Sequence, residues 1–419
     1  MAEGAAVTSR RLDILLIAPN CDETDVGEAF WAQRWTKHLS EVANVTLLTQ
    51  LRNGRLPASR QLPCTRVIEW PEPLLPRRLE RLGAMLKPSF PVFAARARRW
   101  IAEQLGSGTH FDIIHQLTPL ALRYASPAAS FGIPYVLGPH GGSLPTPDAF
   151  AAECRSAPMF TRLREIDRLR LSADPWLRRS FSGAACVLGV APYVRDLLGS
   201  IPLKRFEVMS ELGIDDPAPP RRTKAPGEGL RLLHVARSVR TKGLRDCVRA
   251  MARLGDLPQV HLTQAGNGEE LDLCRREAVR LGVADRIDFR GRIPRDEVEA
   301  LYGTADVFLF PSFREASGGV VFEAMRHGLP VIAADRGGPG HVVNGDCGIT
   351  VPVENPEQLA EALANAIRKL ATNPAERARL SAGARERVNE LGAWPGKIAW
   401  LIELYHSILR EQTNSRRSA

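Results

Sequence analysis

The order of elements predicts an α/β protein made of two Rossmann-like, doubly wound domains. Three observations carry that reading. The chain opens as strand, glycine loop, helix and strand over Arg11–Thr49, and the same order begins again at Leu230. Between them, Asp216–Glu228 (DPAPPRRTKAPGE) is proline-rich, polar and without periodicity, the composition of a linker. Strand–turn–helix–strand is the opening unit of a parallel sheet, and 419 residues suit two cores of about two hundred residues each. Residues 1–10 read as a disordered tail, 11–215 as the first domain, 216–228 as the linker, 229–393 as the second domain and 394–419 as a closing helix.

In the first half, Arg11–Pro19 (RLDILLIAP) is an apolar run of strand length, and Val45–Thr49 is the next. The loop Asn20–Val26 reaches Gly27, and a helix follows to about Leu39. Phe111–Ile114 and Pro134–Leu137 are two further strands, each followed by a histidine: His115 and His140. Polar residues just past the carboxyl ends of parallel strands line the ligand crevice of an open sheet. A lone loop histidine is usually structural, but His140 is flanked by Pro139, Gly141 and Gly142 at a strand end, and that favours a functional role. Ala185–Leu188 and Phe206–Met209 complete the strands of this half. Leu74–Leu105 is arginine-rich, with Leu79, Leu82 and Leu86 on one helical face beside Arg77, Arg78 and Arg81, and Arg162–Arg170 and Trp176–Arg179 are further basic pieces. Such stretches either pack as solvated helices or lie on an anionic membrane surface.

In the second half, the strand Leu230–Ala236 runs into Arg237-Ser238-Val239-Arg240-Thr241-Lys242-Gly243. Two cations, Arg237 and Lys242, in a loop that opens a helix are placed to neutralise a diphosphate. Alone the pattern is usually a solvated loop. Here it follows the first strand of a domain that also carries an acid pair. Val260–Ala265 and the tight loop Gly266-Asn267-Gly268 come next, then the strand Ile287–Phe289. Val307–Phe310 ends at a proline, and Glu315, the Ser317-Gly318-Gly319 turn, an apolar helix start at Val320 and Glu323 follow. A glycine turn feeding a helix N-terminus presents unpaired amides and the positive end of the helix dipole, which suits phosphate. Glu315 and Glu323 would lie up to about 12 Å apart at helical rise, one for each end of a sugar–diphosphate–nucleoside. Acids at that spacing are common on solvated helices, and the glycine turn between them is what tips the reading. Gly328 stops the helix before the strand Pro330–Ala333. Asn355-Pro356 caps and starts another helix, Ala375–Leu391 is a further one, and Trp394–Leu409 carries Ile398, Leu401, Ile402 and Tyr405 on one face.

The run PSFREASGGVVFEAMRHGLPVIA resembles the E-x7-E signature of the retaining GT-B glycosyltransferases of family 4. The resemblance implies that Glu323 binds the nucleotide ribose and Glu315 the donor sugar, with Ser317, Gly318, Gly319 and Val320 as an amide cradle. It also implies that the two domains face each other across a cleft, with diphosphate ligands at Arg237 and Lys242 and a donor contact at Gly27, while the tight loop at Gly266 lets its backbone approach a phosphate or ribose. Arg292 and Ile293 would meet the nucleobase, His140 and Gly141 would meet the acceptor near the reacting centre, and the last helix would cross back to the first domain. Five positions in four places depart from the family pattern. Ala316-Ser317-Gly318 stands where Gly-Phe-Gly is frequent, Val26 and Ala236 replace glycines, and His341 takes the place of a glutamate.

Bulk properties narrow the function classes. Apolar residues at 44% and charged residues at 25% are ordinary for a globular protein. Seven scattered cysteines without a C-x-x-C pair signal neither a disulfide framework nor a zinc site. The absence of a signal-peptide core and of an eighteen-residue apolar run points to the cytosol, with peripheral attachment to the inner face of the membrane. A net charge of +9 admits nucleic acid as a partner, but the arginines are spread over helical faces and no aromatic platform interleaves them. A nucleotide-sugar and an anionic membrane account for the charge instead. The reading is therefore an enzyme that moves a sugar from a UDP- or GDP-sugar to a glycan or lipid-linked acceptor, with retention and with no required metal or cofactor. Bacterial envelope or exopolysaccharide synthesis is the setting that family frequency suggests. A non-catalytic glycan-binding scaffold and a sugar-nucleotide epimerase of the same fold are the alternatives.

Overall fold

The computed structural model of the protein describes residues 10–73, 87–154, 170–215 and 229–418. The arginine-rich segments at 74–86 and 155–169 and the linker 216–228 lie outside these residues.

Two wholly parallel sheets organise the chain. The first contains β1 (Asp13–Ile17), β2 (Asn44–Leu51), β3 (Arg66–Pro71), β4 (Ile113–Gln116), β5 (Tyr135–His140), β6 (Cys186–Gly189) and β7 (Phe206–Val208) in the order β3-β2-β1-β4-β5-β6-β7. Ile14 pairs with Val45 on one side and Ile113 on the other. Parallel strands covered on both faces read as continuous apolar runs, and Ile14–Ile17 are all fully buried. The second sheet contains β8 (Arg231–Val235), β9 (His261–Ala265), β10 (Ile287–Gly291), β11 (Val307–Phe310), β12 (Val331–Ala334) and β13 (Gly348–Val351), ordered β10-β9-β8-β11-β12-β13. In each sheet the winding reverses beside its first strand, between β1 and β4 and between β8 and β11. Loops at the carboxyl ends of strands diverge at such a reversal and leave a crevice for ligands.

Two strands of the first sheet run further toward their carboxyl ends than the apolar patterning predicts. β4 continues through His115 and β5 through His140, so both histidines lie within strands rather than beyond them. The edge strands β3 and β13 have no counterpart among the sequence expectations. β3 is only partly buried along its length and lacks the apolar run by which central strands are recognised.

Two segments tie the halves together. The helix Trp394–Ser418 sends Trp394, Ile398, Leu401, Leu404, Tyr405 and Ile408 into the core under the first sheet, and the Tyr405 hydroxyl meets His115 Nδ1 at 2.5 Å. In the other direction, the segment after β5 crosses to the second domain. Arg336 donates to the Pro145 carbonyl at 3.0 Å, and Phe150 is fully buried in the second domain's core, 4.4 Å between ring centroids from Phe313. Nearby, Glu153 is ion-paired with Arg240 at 2.6 Å and Arg249 at 2.8 Å.

Candidate active site

A cleft of about 710 Å³ opens between the domains at the two reversal points. Each wall is built from loops at strand carboxyl ends. After β1, the loop through Gly27 delivers the helix Glu28–Val42. Gly27 has φ 68° with nothing crowding a Cβ, so backbone conformation rather than space calls for glycine there. After β8, the loop 236–243 brings Arg237 and Lys242 into the cleft and ends at Gly243. A Cβ on Gly243 would sit 2.5 Å from the Pro311 carbonyl oxygen, at φ 79°. After β11, the loop 311–318 brings in Glu315, and the helix Gly319–Arg326 starts behind Gly318 (φ 85°) with no side chain capping its first turn. Gly319 and Val320 line the cleft, so a helix start without a side-chain cap adjoins it with its positive end.

Seven of the sequence candidates line this one cavity: Gly27, Arg237, Lys242, Glu315, Gly319, Val320 and Glu323. Lys242 is ion-paired with Glu315 and its ammonium lies 5.7 Å from the centre of the Phe310 ring. Arg237 is exposed. Glu323 accepts a hydrogen bond from the Tyr302 hydroxyl at 3.1 Å. Burial raises the Glu323 carboxyl above its usual range, with the Tyr302 bond working against that rise.

The remaining candidates sit behind the walls. Ser317 and Gly318 are buried under the turn, Ser317 donating to Glu211 Oε1 at 2.6 Å. Gly266 underlies the cation loop, and a Cβ there would be 1.8 Å from the Ala236 carbonyl oxygen. Arg292 is exposed and Ile293 half-buried just past β10, outside the cavity lining. His140 is buried, its Nδ1 3.1 Å from the Leu120 carbonyl and its ring edge-on to Phe181, and it does not line the cavity. Burial pulls its imidazole down to about 4, so it is neutral at neutral pH. Gly141 packs against the loop next to Glu315, where a Cβ would approach Ala316 Cβ to 3.4 Å.

Other lining residues were not anticipated. Glu23–Val26, Phe30 and Trp31 form the first-domain wall, and Arg295, Glu299 and Arg326 stand at the Glu323 end. Arg240 is the opposite case. It belongs to the cation loop in sequence but turns inward, 5% exposed, onto Asp246 and Glu153. Sequence spacing gives no sign of which of three neighbouring cations faces out. Among the described residues, no cluster of three or more His, Cys, Asp or Glu is placed to hold a metal ion.

The arrangement offers cations and a helix N-terminus to an anion, flanked by two carboxylates. Known proteins share the domains and the fold that carry it. Residues 31–210 match the domain model described as Glycosyltransferase Family 4, and residues 216–387 match Glycosyl transferases group 1. The solved structure of Anabaena HepE, in complex with UDP and glucose, superposes with a TM-score of 0.59 at 18% identity, over 95% of this chain and 100% of that one. Each half of the chain thus matches a glycosyltransferase domain, and the two together make a GT-B fold. Among curated relatives, this GT-B chain is 28% identical to a D-inositol 3-phosphate glycosyltransferase of Nocardiopsis dassonvillei, over 73% of its own length and 72% of the relative's. It is 29% identical to the lipopolysaccharide core biosynthesis glycosyltransferase LpsE of Rhizobium meliloti, over 51% and 61%. The chain spans about half or less of the length of the first curated relatives it matches.

Proposed function

We propose that the protein is a retaining glycosyltransferase whose cleft holds a nucleoside diphosphate sugar. The convergence of Arg237, Lys242, Glu315, Glu323 and the start of the helix Gly319–Arg326 on one cavity carries this reading. Arg237, Lys242 and the first-turn amides are the counter-charge for the diphosphate, and they stabilise it most as it leaves the anomeric carbon and gains charge. No metal is needed for that role. Glu323, on the far side of the helix turn, takes ribose hydroxyls, and Glu315 takes hydroxyls of the transferred sugar.

In the absence of donor, the Lys242–Glu315 pair keeps both charges compensated. Donor entry exchanges it for Lys242–phosphate and Glu315–hydroxyl contacts. Retention follows from the resemblance of the Glu315–Glu323 segment to the retaining signature. Gly266, Arg292 and Ile293 are proposed contacts to the donor's nucleoside end, and His140 with Gly141 to the acceptor side through the adjoining Ala316 loop. The UDP complex of HepE supports a uridine donor, with a GDP-sugar as the other choice. The likeness to LpsE supports a glycan or lipid-linked acceptor and an envelope role at the cytosolic face of a membrane. No helix among the described residues is long and apolar enough to cross one.

Thermal unfolding against a panel of nucleotides and nucleotide sugars, beside Glu323→Ala, tests the donor site. A ligand at a hundredfold excess over its Kd stabilises the native state by about 2.7 kcal/mol. A midpoint rise with one nucleoside diphosphate series, lost in the variant, is expected. A flat response to every nucleotide contradicts a transferase.

A further inference from the structure

Glu211 lies on the segment that leads from β7 out of the first domain, 106 residues before Ser317 in the donor loop. Its side chain is 7% exposed and Ser317 is 6% exposed, yet the Ser317 hydroxyl donates to Glu211 Oε1 at 2.6 Å. The main chain around Glu211 is fastened as well. Trp35 Nε1 donates to the Glu211 carbonyl at 2.9 Å, and Lys397 Nζ donates to the neighbouring Ser210 carbonyl at 2.6 Å. Leu212 Cδ2 sits 3.8 Å from where a Gly319 Cβ would be. Glu211 Oε2 is buried without a hydrogen-bond partner. A buried carboxyl that satisfies only one oxygen is costly, and the bond to Ser317 is what that position provides. Ser317 immediately precedes Gly318, whose left-handed conformation sets the start of the helix Gly319–Arg326.

We propose that Glu211 is a positioning residue for the donor loop. By holding the Ser317 hydroxyl from the opposite domain, it fixes the turn that aims the first-turn amides and Glu315 into the cleft. The proposal rests on the donor-site reading for its consequence in nucleotide binding, but the clasp itself is independent of it. Glu211→Gln keeps an acceptor oxygen for Ser317, whereas Glu211→Ala and Ser317→Ala each remove the bond.

Two measurements on the full chain separate the claims. Amide hydrogen exchange of the ligand-free protein over residues 312–322 tests the clasp, and calorimetric titration with UDP and GDP tests its effect on the site. Glu211→Ala and Ser317→Ala should each speed exchange in that segment and weaken the bound nucleotide about tenfold, the scale of one hydrogen bond to a carboxyl group. The double variant should be no worse than either single one, and Glu211→Gln should behave as wild type. Unchanged exchange in both single variants, or losses that add in full, overturns the proposal. Should Glu211→Ala not fold, Ser317→Ala and Glu211→Gln carry the same comparison. Coupled exchange changes in a protein that binds neither nucleotide support the clasp and overturn the donor reading instead.

Discussion

Lys397 shows how one buried charge ties the closing helix to the first domain. It is 3% exposed, and its ammonium donates to the Ser210 carbonyl at 2.6 Å and the Leu391 carbonyl at 3.2 Å. Burial lowers its pKa to about 7, with the nearby Glu211 acting in the opposite direction. A free lysine titrates near 10.4, about three units higher. Between those values the unfolded chain binds the proton and the folded chain does not, so stability rises with pH across that window. Below about pH 7 both states are protonated and the contribution is constant. Urea unfolding of wild type and Lys397→Met at pH 7 and pH 9.5 reads this directly. Wild type should gain stability relative to the variant between the two pH values, and parallel behaviour would remove the assignment. The candidate site is legible at this scale where its chemistry is local. Arg237, Lys242, Glu315 and Glu323 stand within short strand–loop–helix segments, and the structure brings all four to one cavity. Glu211, Tyr302 and Glu153 are invisible in the same sequence, because each meets its partner only after the sheets have formed.

Among elements, the crossing segment that carries Phe150 and Glu153 is the one whose role the sequence conceals. No periodicity marks it, yet Phe150 fills a core in the other domain and the Arg240 guanidinium lies 5.2 Å from both its ring and that of Phe313. Arg240 in turn is hydrogen-bonded to Asp246 at 2.6 and 2.9 Å, which anchors the loop that presents Arg237 and Lys242. Phe150→Ala should cost about 3–5 kcal/mol of stability, the range for a buried aromatic, measured by chemical denaturation. A loss below about 1 kcal/mol would mean the segment is dispensable. For Glu153, burial works to raise its pKa, but the hydrogen bonds and charges of Arg249 and Arg240 prevail and hold it at about 2. Its folded value is below its unfolded one, so its contribution is complete above about pH 4.5 and fades as pH falls toward 2. Glu153→Gln should therefore be less stable than wild type at pH 6 and approach it as the solution is acidified. Gly266 makes a second element-scale case. A Cβ there meets the Ala236 carbonyl oxygen at 1.8 Å at φ 127°, so Gly266→Ala should cost roughly 1–3 kcal/mol and loosen the β8–β9 loop pair. An unchanged midpoint would show that the loop gives way freely.

For the molecule as a whole, the repeated order of strand, glycine loop and helix was sufficient to foresee two parallel sheets, because central parallel strands are continuous apolar runs. The edge strands β3 and β13 escaped because half-exposed strands lack that signature. At His115 and His140 the strands extend past the ends that apolar patterning marks, because polar residues there continue the pairing. The cleft lies where both sheets reverse, so its position follows from topology. Its contents follow from the loops that topology places there. The measurement nearest to the central claim is a calorimetric titration of wild type and Lys242→Met with a nucleoside, its monophosphate and its diphosphate, using the base that stabilises the protein most. If Arg237, Lys242 and the helix start form a diphosphate site, affinity should climb with each phosphate, and Lys242→Met should weaken the diphosphate about tenfold or more while leaving the nucleoside unchanged. Equal affinity for all three ligands, or a diphosphate that binds the variant as tightly as wild type, would contradict the site.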